Sequence, residues 1–298
     1  TARLAGVFLV ALAGVPFLFP DGPAIAAASD DQAPFKVVML RSSNLLSSAA
    51  IAQDQQMREA LERKTVRSIQ FFVEILDTVD FNGAVTDKEF LSLFQKKYRG
   101  QHVDLMLAVG RDALTFAQCY REQLLPRVPI MFYNVAEDFI QKRPLEPDVS
   151  GVFLKFDVAG TLDLALRLQP DARQLFVIGG AAEYDKNWLR RARETLAPYH
   201  GELSVSYLNE LTLPEILEKV KQFPRDTIVL YLSMARDATG RAYPSQSVVK
   251  QISEASGAPV YGVMDSNLGQ GIVGGVMPSF ALHGRMAGEL GARLLAGE

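Results

Sequence analysis

Two apolar runs with a helical pattern between them constrain the fold of this chain more than any other feature. The first run covers residues 103–109, with Asp104 as its one charged residue, and ends at Gly110; the second covers residues 128–132 and ends at Tyr133. A run without alternating polar residues is buried on both faces, as a parallel strand is when helices cover its sheet. Strand, helix and strand in this order form a right-handed crossover unit, which places binding groups at the carboxyl ends of its strands.

The same unit recurs in two series, which a polar, proline-containing link at residues 144–148 divides. Two such series predict two α/β lobes, with a ligand in a cleft that faces strand ends from both. The predicted strands cover residues 35–40, 67–76, 103–109, 128–132, 151–154, 175–178, 203–208, 227–232 and 259–264. The predicted helices cover residues 49–64, 86–98, 113–124, 157–168, 184–196, 245–255 and 280–295, and a capping box at Thr212–Glu215 starts another. In the last helix Gly284, Gly288 and Ala292 recur every four residues and predict a thin face for close packing.

Charge and cysteine content exclude some classes of protein. The chain of 298 residues has 31 Lys and Arg against 34 Asp and Glu, a net charge of −3. Since no basic cluster stands out, a nucleic-acid partner is not expected. Cys119 is the only cysteine, so no internal disulfide can form.

The amino-terminal residues predict export. Arg3 precedes an apolar run at residues 4–19, and small residues at 24–28 precede the polar residues 29–32. This is the layout of a secretory signal, so we predict a signal peptide at 1–28 and a mature protein in the periplasm. The alternative is an uncleaved membrane anchor, for which the run is short.

Motifs of enzymes and metal sites are missing from the sequence. There is no nucleophile elbow GxSxG and no P-loop, and the glycines at 269–275 do not lead straight into a helix. His102, His200 and His283 do not have the sequence spacing of metal ligands. Each is expected at the surface or as a helix cap. We therefore predict no catalysis, no metal and no cofactor.

The candidate site is predicted from position, because each of its residues follows the carboxyl end of a predicted strand. In the first lobe these residues are Ser42, Ser43, Asn44, Gly110, Arg111, Asp112, Tyr133 and Asn134. In the second lobe they are Glu183, Tyr184, Ser233, Met234, Arg236, Asp265, Ser266 and Asn267.

The chemistry of this set suits a small polar ligand, and a carboxylate is the favoured group. The helix start after Gly110 and the guanidinium of Arg236 both favour an anion. The alternative is that the arginines pair with Asp112 or Asp237 and do not contact the ligand.

Several stretches resemble one family. They are FFVEILDTVDF (71–81), KYRGQHVDLMLAVGRDALTF (97–116), LLPRVPIMF (124–132) and DSNLGQGIVGGV (265–276). They resemble the ABC-transporter substrate-binding-like family of periplasmic proteins, and most of all its branch that serves as the sensor region of bacterial membrane histidine kinases. The resemblance covers residues 35–298.

The resemblance implies a type I periplasmic-binding-protein fold, with two Rossmann-like lobes of parallel sheets and a hinged cleft. Lobe 1 would hold residues 35–153 and 271–298, and lobe 2 residues 154–270. The crossovers would lie near Gly151–Asp157 and Gly271–Gly275. The implied function is ligand binding by the sensor input domain of a membrane-anchored signalling protein. The alternative is a free solute-binding protein that serves an ABC permease.

Overall fold

The computed structural model describes residues 33–43, 48–77 and 87–298. The predicted signal peptide at 1–28 and the predicted site residue Asn44 lie outside these ranges. Residues 34–298 pack as one unit. Within the part of the chain that the structure describes, no helix is both long enough and apolar enough to cross a membrane.

Strands alternate with helices along the described chain. The strands are β1 (Phe35–Arg41), β2 (Ile69–Ile75), β3 (Leu105–Val109), β4 (Ile130–Ala136), β5 (Val149–Leu154), β6 (Gln174–Gly179), β7 (Ser204–Leu208), β8 (Thr227–Ser233) and β9 (Val260–Gly262). The helices are α1 (Ser48–Lys64), α2 (Asp87–Tyr98), α3 (Arg111–Cys119), α4 (Arg121–Leu124), α5 (Glu137–Gln141), α6 (Val158–Leu168), α7 (Glu183–Leu196), α8 (Leu213–Lys221), α9 (Ser245–Ala255) and α10 (Phe280–Leu295).

The strands form two parallel sheets, one in each lobe. Sheet A has the order β2-β1-β3-β4-β5, and sheet B has the order β7-β6-β8-β9. In each sheet the chain starts on an inner strand and adds neighbours on both sides, which is doubly wound topology. Strand β3 is buried along its whole length, as its unbroken apolar run predicts. The predicted fold class, α/β with two lobes of parallel strands, is confirmed.

Helices cover both faces of sheet A because successive side chains of a strand point to opposite faces. Val37 and Met39 of β1 join the core beneath α1 and α10. Val38 and Leu40 join the core beneath α2 and α3. Sheet B is built in the same way, with Val177 beneath α6 and α7 and Ile178 beneath α8 and α9.

The thin face predicted for the last helix brings α10 into close contact with α1. A Cβ at Gly284 would lie 2.1 Å from the carbonyl oxygen of Gln53, and one at Gly288 would lie 2.2 Å from that of Met57. Only hydrogen fits at these two positions, so the predicted close packing is confirmed.

The helix starts predicted in lobe 2 are also confirmed. Thr212 and Glu215 form the capping box of α8, in which the Thr212 amide donates to Glu215 Oε2 at 2.7 Å. Asp157 caps α6 by accepting from the Gly160 amide at 2.7 Å.

The chain crosses between the lobes after β5 and again before α10. Near the return crossover, the amide of Val273 donates to the carbonyl of Val260 and the amide of Gly262 donates to the carbonyl of Gly274, so residues 273–274 still pair beside β9. The crossovers near Gly151–Asp157 and Gly271–Gly275 stay predictions. The division into 35–153 with 271–298 and 154–270 stays a prediction.

His283 is buried rather than at the surface or in a cap, so that prediction was wrong. Its side chain on α10 is 6% exposed. One ring nitrogen lies 2.6 Å from Gln53 Nε2 and the other lies 3.1 Å from the carbonyl oxygen of Val152. The helical pattern places His283 on the packed face of α10, and burial lowers the pKa of its imidazole to about 4.

We expect His283 to make folding stability depend on pH. Because its folded pKa lies below the value of about 6.5 in an unfolded chain, the stability is fully present above pH 6.5 and is lost as the pH falls towards 4. The loss should be on the order of 2–3 kcal/mol. Urea unfolding at pH 7 and pH 4.5 measures it in the parent, in His283→Gln and in the exposed control His200→Gln. An equal loss in the parent and His283→Gln would contradict this origin.

Candidate functional site

The carboxyl ends of the two sheets meet in this structure. The start of α1, which follows β1, contacts the 3₁₀ turn at Asp265–Asn267, which follows β9. Ala49 of α1 packs against the core of lobe 2. Phe156, which follows β5, packs against Trp188 of α7 with ring centres 4.4 Å apart. Loops from both sheets therefore share one boundary, as a ligand cleft between lobes requires.

Ser42 and Gly110 form the corner between β1 and β3. Ser42 Oγ donates to the carbonyl of Val109 at 3.2 Å and accepts from the amide of Ala113 at 2.9 Å. Gly110 has a φ of +93°, and a Cβ there would lie 2.7 Å from Ser42 Oγ, so this corner requires glycine. The hydroxyl of Ser42 thus supports the start of α3. Ser43 follows it and is partly exposed.

Arg111 pairs with its neighbour. Its Nε donates to Asp112 Oδ1 at 2.8 Å, and its side chain is half exposed. Arg111 therefore pairs with Asp112, which is the alternative to ligand contact that the sequence left open.

Tyr133 is fully buried and has no surface to offer a ligand in this arrangement of the lobes. Its hydroxyl donates to Asp54 Oδ1 at 2.8 Å, and Asp54 also pairs with Arg41 at the end of β1. Burial, followed by the nearby Asp54 carboxylate, holds the pKa of Tyr133 well above its usual value. The sequence prediction did not include Arg41 and Asp54, and the helical position of Asp54 gave no signal of this network.

Asn134 lies next to Tyr133 but has the opposite character. It is exposed and adopts a left-handed backbone with a φ of +59°, at a shift in register between β4 and β5. Asp77, which follows β2, has a φ of +55°. Asn134 therefore lies within β4, at its irregularity, and Asp77 lies after β2; a third left-handed residue, Arg127 with a φ of +65°, lies before β4 at the other end of sheet A. Asp77 was not predicted as a site residue.

Asp185 joins the loops that follow β6 and β8. Its buried carboxylate accepts from Ser233 Oγ at 2.7 Å, from the Ala235 amide at 3.0 Å and from the amides of Arg236 and Ala182 at 3.3 and 3.2 Å. Burial raises the pKa of Asp185, while these hydrogen bonds oppose that change. The sequence prediction missed its role, because an acid in the first turn of a helix is usually solvated.

Ser233 and Met234 are both buried. The hydroxyl of Ser233 is committed to Asp185, and Met234 lies in the core beneath α8 and α9. In this structure they support the loop that carries Arg236, and they do not line a surface.

Arg236 is exposed at the head of a tight turn. Its Nη1 donates to the carbonyl of Gly240 at 3.1 Å, so it does not pair with Asp237 as the sequence alternative proposed. Burial disfavours the charge of Asp237, but hydrogen bonds from Thr239 and Tyr243 outweigh it and lower the pKa to about 2. The turn is therefore held by Asp237, and the guanidinium of Arg236 has no carboxylate partner among the described residues.

Glu183 and Tyr184 begin α7 beside this turn. Glu183 is exposed and pairs with Lys186 at 2.8 Å. The ring of Tyr184 is 44% exposed and lies edge-on to Trp188, with centres 6.4 Å apart. Tyr184 therefore offers an aromatic surface at the carboxyl end of sheet B.

The turn after β9 contains three predicted site residues. Asp265 accepts from the Phe280 amide at 2.9 Å, and burial raises the pKa of its carboxyl group. The carbonyl of Ser266 accepts from Gln246 at 3.0 Å. Asn267 is 2% exposed, and its side-chain nitrogen has no hydrogen-bond partner among the described residues. A buried donor without an acceptor is costly, and at this exposure Asn267 has almost no surface for a ligand in this arrangement of the lobes.

A surface depression of about 450 Å³ lies at the other end of sheet A. It is lined by the loops that precede β3 and β4, including His102, Asp104 and Arg127. None of the predicted site residues borders it. The candidate site at the carboxyl ends of the strands stays a prediction, which the shared boundary of loops from both sheets favours over a depression formed by one lobe alone.

Within the described ranges, no group of three or more His, Cys, Asp or Glu side chains could hold a metal ion. His102 pairs with Asp104 and His283 is buried beside Gln53. These histidines have local partners and do not converge on a common centre.

Comparison with protein-family models and with curated proteins gave no match. Solved structures do match. A ligand-free, open substrate-binding protein with adhesive properties from Clostridium difficile has 17% identity and a TM-score of 0.62, over 89% of this chain and 86% of that one. An ABC domain in complex with L-Trp from Streptococcus pneumonia has 13% identity and a TM-score of 0.58, over 89% and 86%. An ABC-transporter solute-binding protein from R. palustris in complex with benzoate has 13% identity and a TM-score of 0.58, over 89% and 83%.

The structural similarity to these proteins extends over nearly all the described chain. It is a similarity of fold. Both lobes, both parallel sheets and their order along the chain are included in the matched length. At identities of 17% and below, the comparison establishes the fold. This chain has the α/β fold of type I periplasmic binding proteins.

Proposed function

We propose that this protein binds a small solute between its two lobes, as a substrate-binding protein of an ABC transporter does. The observation that carries the proposal is the contact between elements that follow strands of both sheets, namely helix α1 with the turn at Asp265–Asn267 and Phe156 with Trp188. Solute-binding proteins with this fold support it, since two of them were solved with a bound small molecule. The transport role has more support than the sensor role, which rests on the sequence resemblance alone.

The ligand we propose carries a carboxylate. Arg236 is exposed, has no carboxylate partner among the described residues, and lies on a turn that Asp237 holds in place. Tyr184 beside it is a partly exposed aromatic residue that could contact an apolar part of the same ligand. L-Trp and benzoate, the ligands of two proteins with this fold, both combine a carboxylate with an aromatic ring. Charge-assisted hydrogen bonds to Arg would supply much of the orientation.

Export to the periplasm and docking to a membrane permease complete the proposal. The signal-like residues 1–28 support export. A protein that delivers solute would have no catalytic role, and the lobes would close on the ligand by movement at the two crossovers.

A thermal-shift panel of small carboxylates, including L-tryptophan and benzoate, tests ligand binding. A ligand that binds only the folded protein raises the melting temperature, and the rise increases with the logarithm of ligand concentration once the concentration exceeds Kd. We expect at least one aromatic carboxylate to do so, and we expect the matching amides to fail. If amides and carboxylates stabilise the protein equally, the proposed ligand class is wrong.

Replacing Arg236 by alanine should weaken binding of the best carboxylate about ten- to a hundredfold, the effect of losing a charge-assisted hydrogen bond. Isothermal titration calorimetry measures the change. Arg225→Ala is the matched control, because this exposed arginine flanks β8 at its other end. Equal affinities for Arg236→Ala and Arg225→Ala, with both variants folded, would exclude Arg236 from the site.

A further inference from the structure

An ion pair joins the two lobes. Arg191 lies on α7, which follows β6 of sheet B, and Asp138 lies on α5, which follows β4 of sheet A. Arg191 Nη2 is 2.9 Å from Asp138 Oδ1, and the two side chains are 27% and 41% exposed. The other ion pairs found within the described ranges join residues of the same lobe, so this interlobe pair depends on how the lobes are arranged.

The interlobe pair lies next to both crossovers. Trp188 is one turn before Arg191 on α7, and its ring contacts Phe156 in the first crossover. Phe156 in turn lies 6.4 Å, between ring centres, from Phe280, which follows the return crossover. Rotation of the lobes at these crossovers would therefore move α7 relative to α5 and change the distance between Arg191 and Asp138.

The hydrogen bonding of Arg191 is incomplete. Its Nε is buried and has no hydrogen-bond partner among the residues that the structure describes. A buried donor without an acceptor costs free energy, and a partly exposed ion pair contributes only a little. The buried Nε reduces what the pair contributes, so the pair should shift the balance between joined and separated lobes only slightly.

We propose that the interlobe pair of Asp138 and Arg191 regulates the ligand site by favouring the arrangement in which the lobes are joined. This inference rests on the proposed function, because it assumes that the ligand binds between the lobes. Loss of the pair should shift the ratio of joined to separated protein about two- to fivefold, the range for partly exposed ion pairs. Ligand affinity falls with the fraction of competent protein.

Fluorescence energy transfer from Trp188 to a dye attached to Cys119 tests the proposal without any ligand. Trp188 is the only tryptophan and lies in lobe 2, and Cys119 is the only cysteine and is exposed on α3 of lobe 1. A dye on Cys119 accepts energy from Trp188, so transfer reports the separation of the lobes. The full chain is measured as parent, Asp138→Asn, Arg191→Gln and the control Arg190→Gln, whose arginine pairs with Glu194 on the same helix at 3.3 Å.

We expect Asp138→Asn and Arg191→Gln to lower the transfer efficiency and Arg190→Gln to retain the parental value. Raising the salt concentration should lower transfer in the parent more than in Asp138→Asn, because salt screens an exposed ion pair. Unchanged or higher transfer in Asp138→Asn and Arg191→Gln, with parental melting temperatures, would overturn the proposal. Because this measurement uses no ligand, that result would not contradict solute binding. Conversely, a ligand screen without a hit would contradict solute binding but not the effect of the ion pair on the lobes.

Discussion

Replacing Asp185 by alanine should destabilise the protein by about 3 kcal/mol or more, because several buried donors lose their acceptor at roughly 1–3 kcal/mol each. The carboxylate accepts from Ser233 Oγ and from three backbone amides in the loops after β6 and β8. Without it these buried donors lose their acceptor. A Cβ at Gly180 would lie 2.4 Å from Asp185 Oδ2, so the loops are packed directly around the carboxylate.

Urea unfolding measures this effect, with Glu183→Ala as the matched control. Glu183 lies two residues earlier in the same helix turn, and its side chain is 79% exposed. The control should change the free energy of unfolding by less than about 1 kcal/mol. If Asp185→Ala and Glu183→Ala unfold at the same urea concentration, Asp185 does not hold the loops.

Alanine at both Gly284 and Gly288 should cost about 4 kcal/mol, as overpacking typically costs 1–3 kcal/mol at one position. The new methyl groups would meet the carbonyl oxygens of Gln53 and Met57 at 2.1 and 2.2 Å, so α10 must move away from α1. The better helix propensity of alanine returns only part of this cost.

Gly291→Ala is the control for this second prediction. A Cβ at Gly291 would lie 3.1 Å from Leu61 Cδ1, a flexible side chain that can move. We expect its free energy of unfolding to stay within about 1 kcal/mol of the parent in the same denaturant titration. A double variant as stable as Gly291→Ala would show that α10 does not depend on the close approach to α1.

Periodicity was sufficient to predict all nine strands and most of the helices among the described residues. The apolar runs predicted as strands over 103–109 and 227–232 contain the buried strands β3 and most of β8. The helix predicted over 113–124 divides at Tyr120, where φ is −112°, because the chain turns before the strand that follows. Helix α5 was missed, since Glu137–Gln141 is too short for a helical period to stand out.

The position of the candidate site followed from topology, but the direction of its side chains did not. Ser42, Tyr133 and Ser233 all follow or end strands, yet each of their hydroxyls is used within the protein. Whether a strand-end side chain faces the neighbouring lobe or the core depends on the twist of the strand and the packing of helices. Sequence spacing contains neither quantity. Arg236 and Tyr184 keep exposed surface, so they carry the ligand prediction.

A crystal structure with the carboxylate that most raises the melting temperature tests the central claim most directly. The predicted result is a ligand between the loops that follow β1, β3 and β4 of sheet A and those that follow β6, β8 and β9 of sheet B, with its carboxylate on Arg236. A ligand bound in the depression beside His102 and Arg127, with the strand-end loops unoccupied, would contradict it.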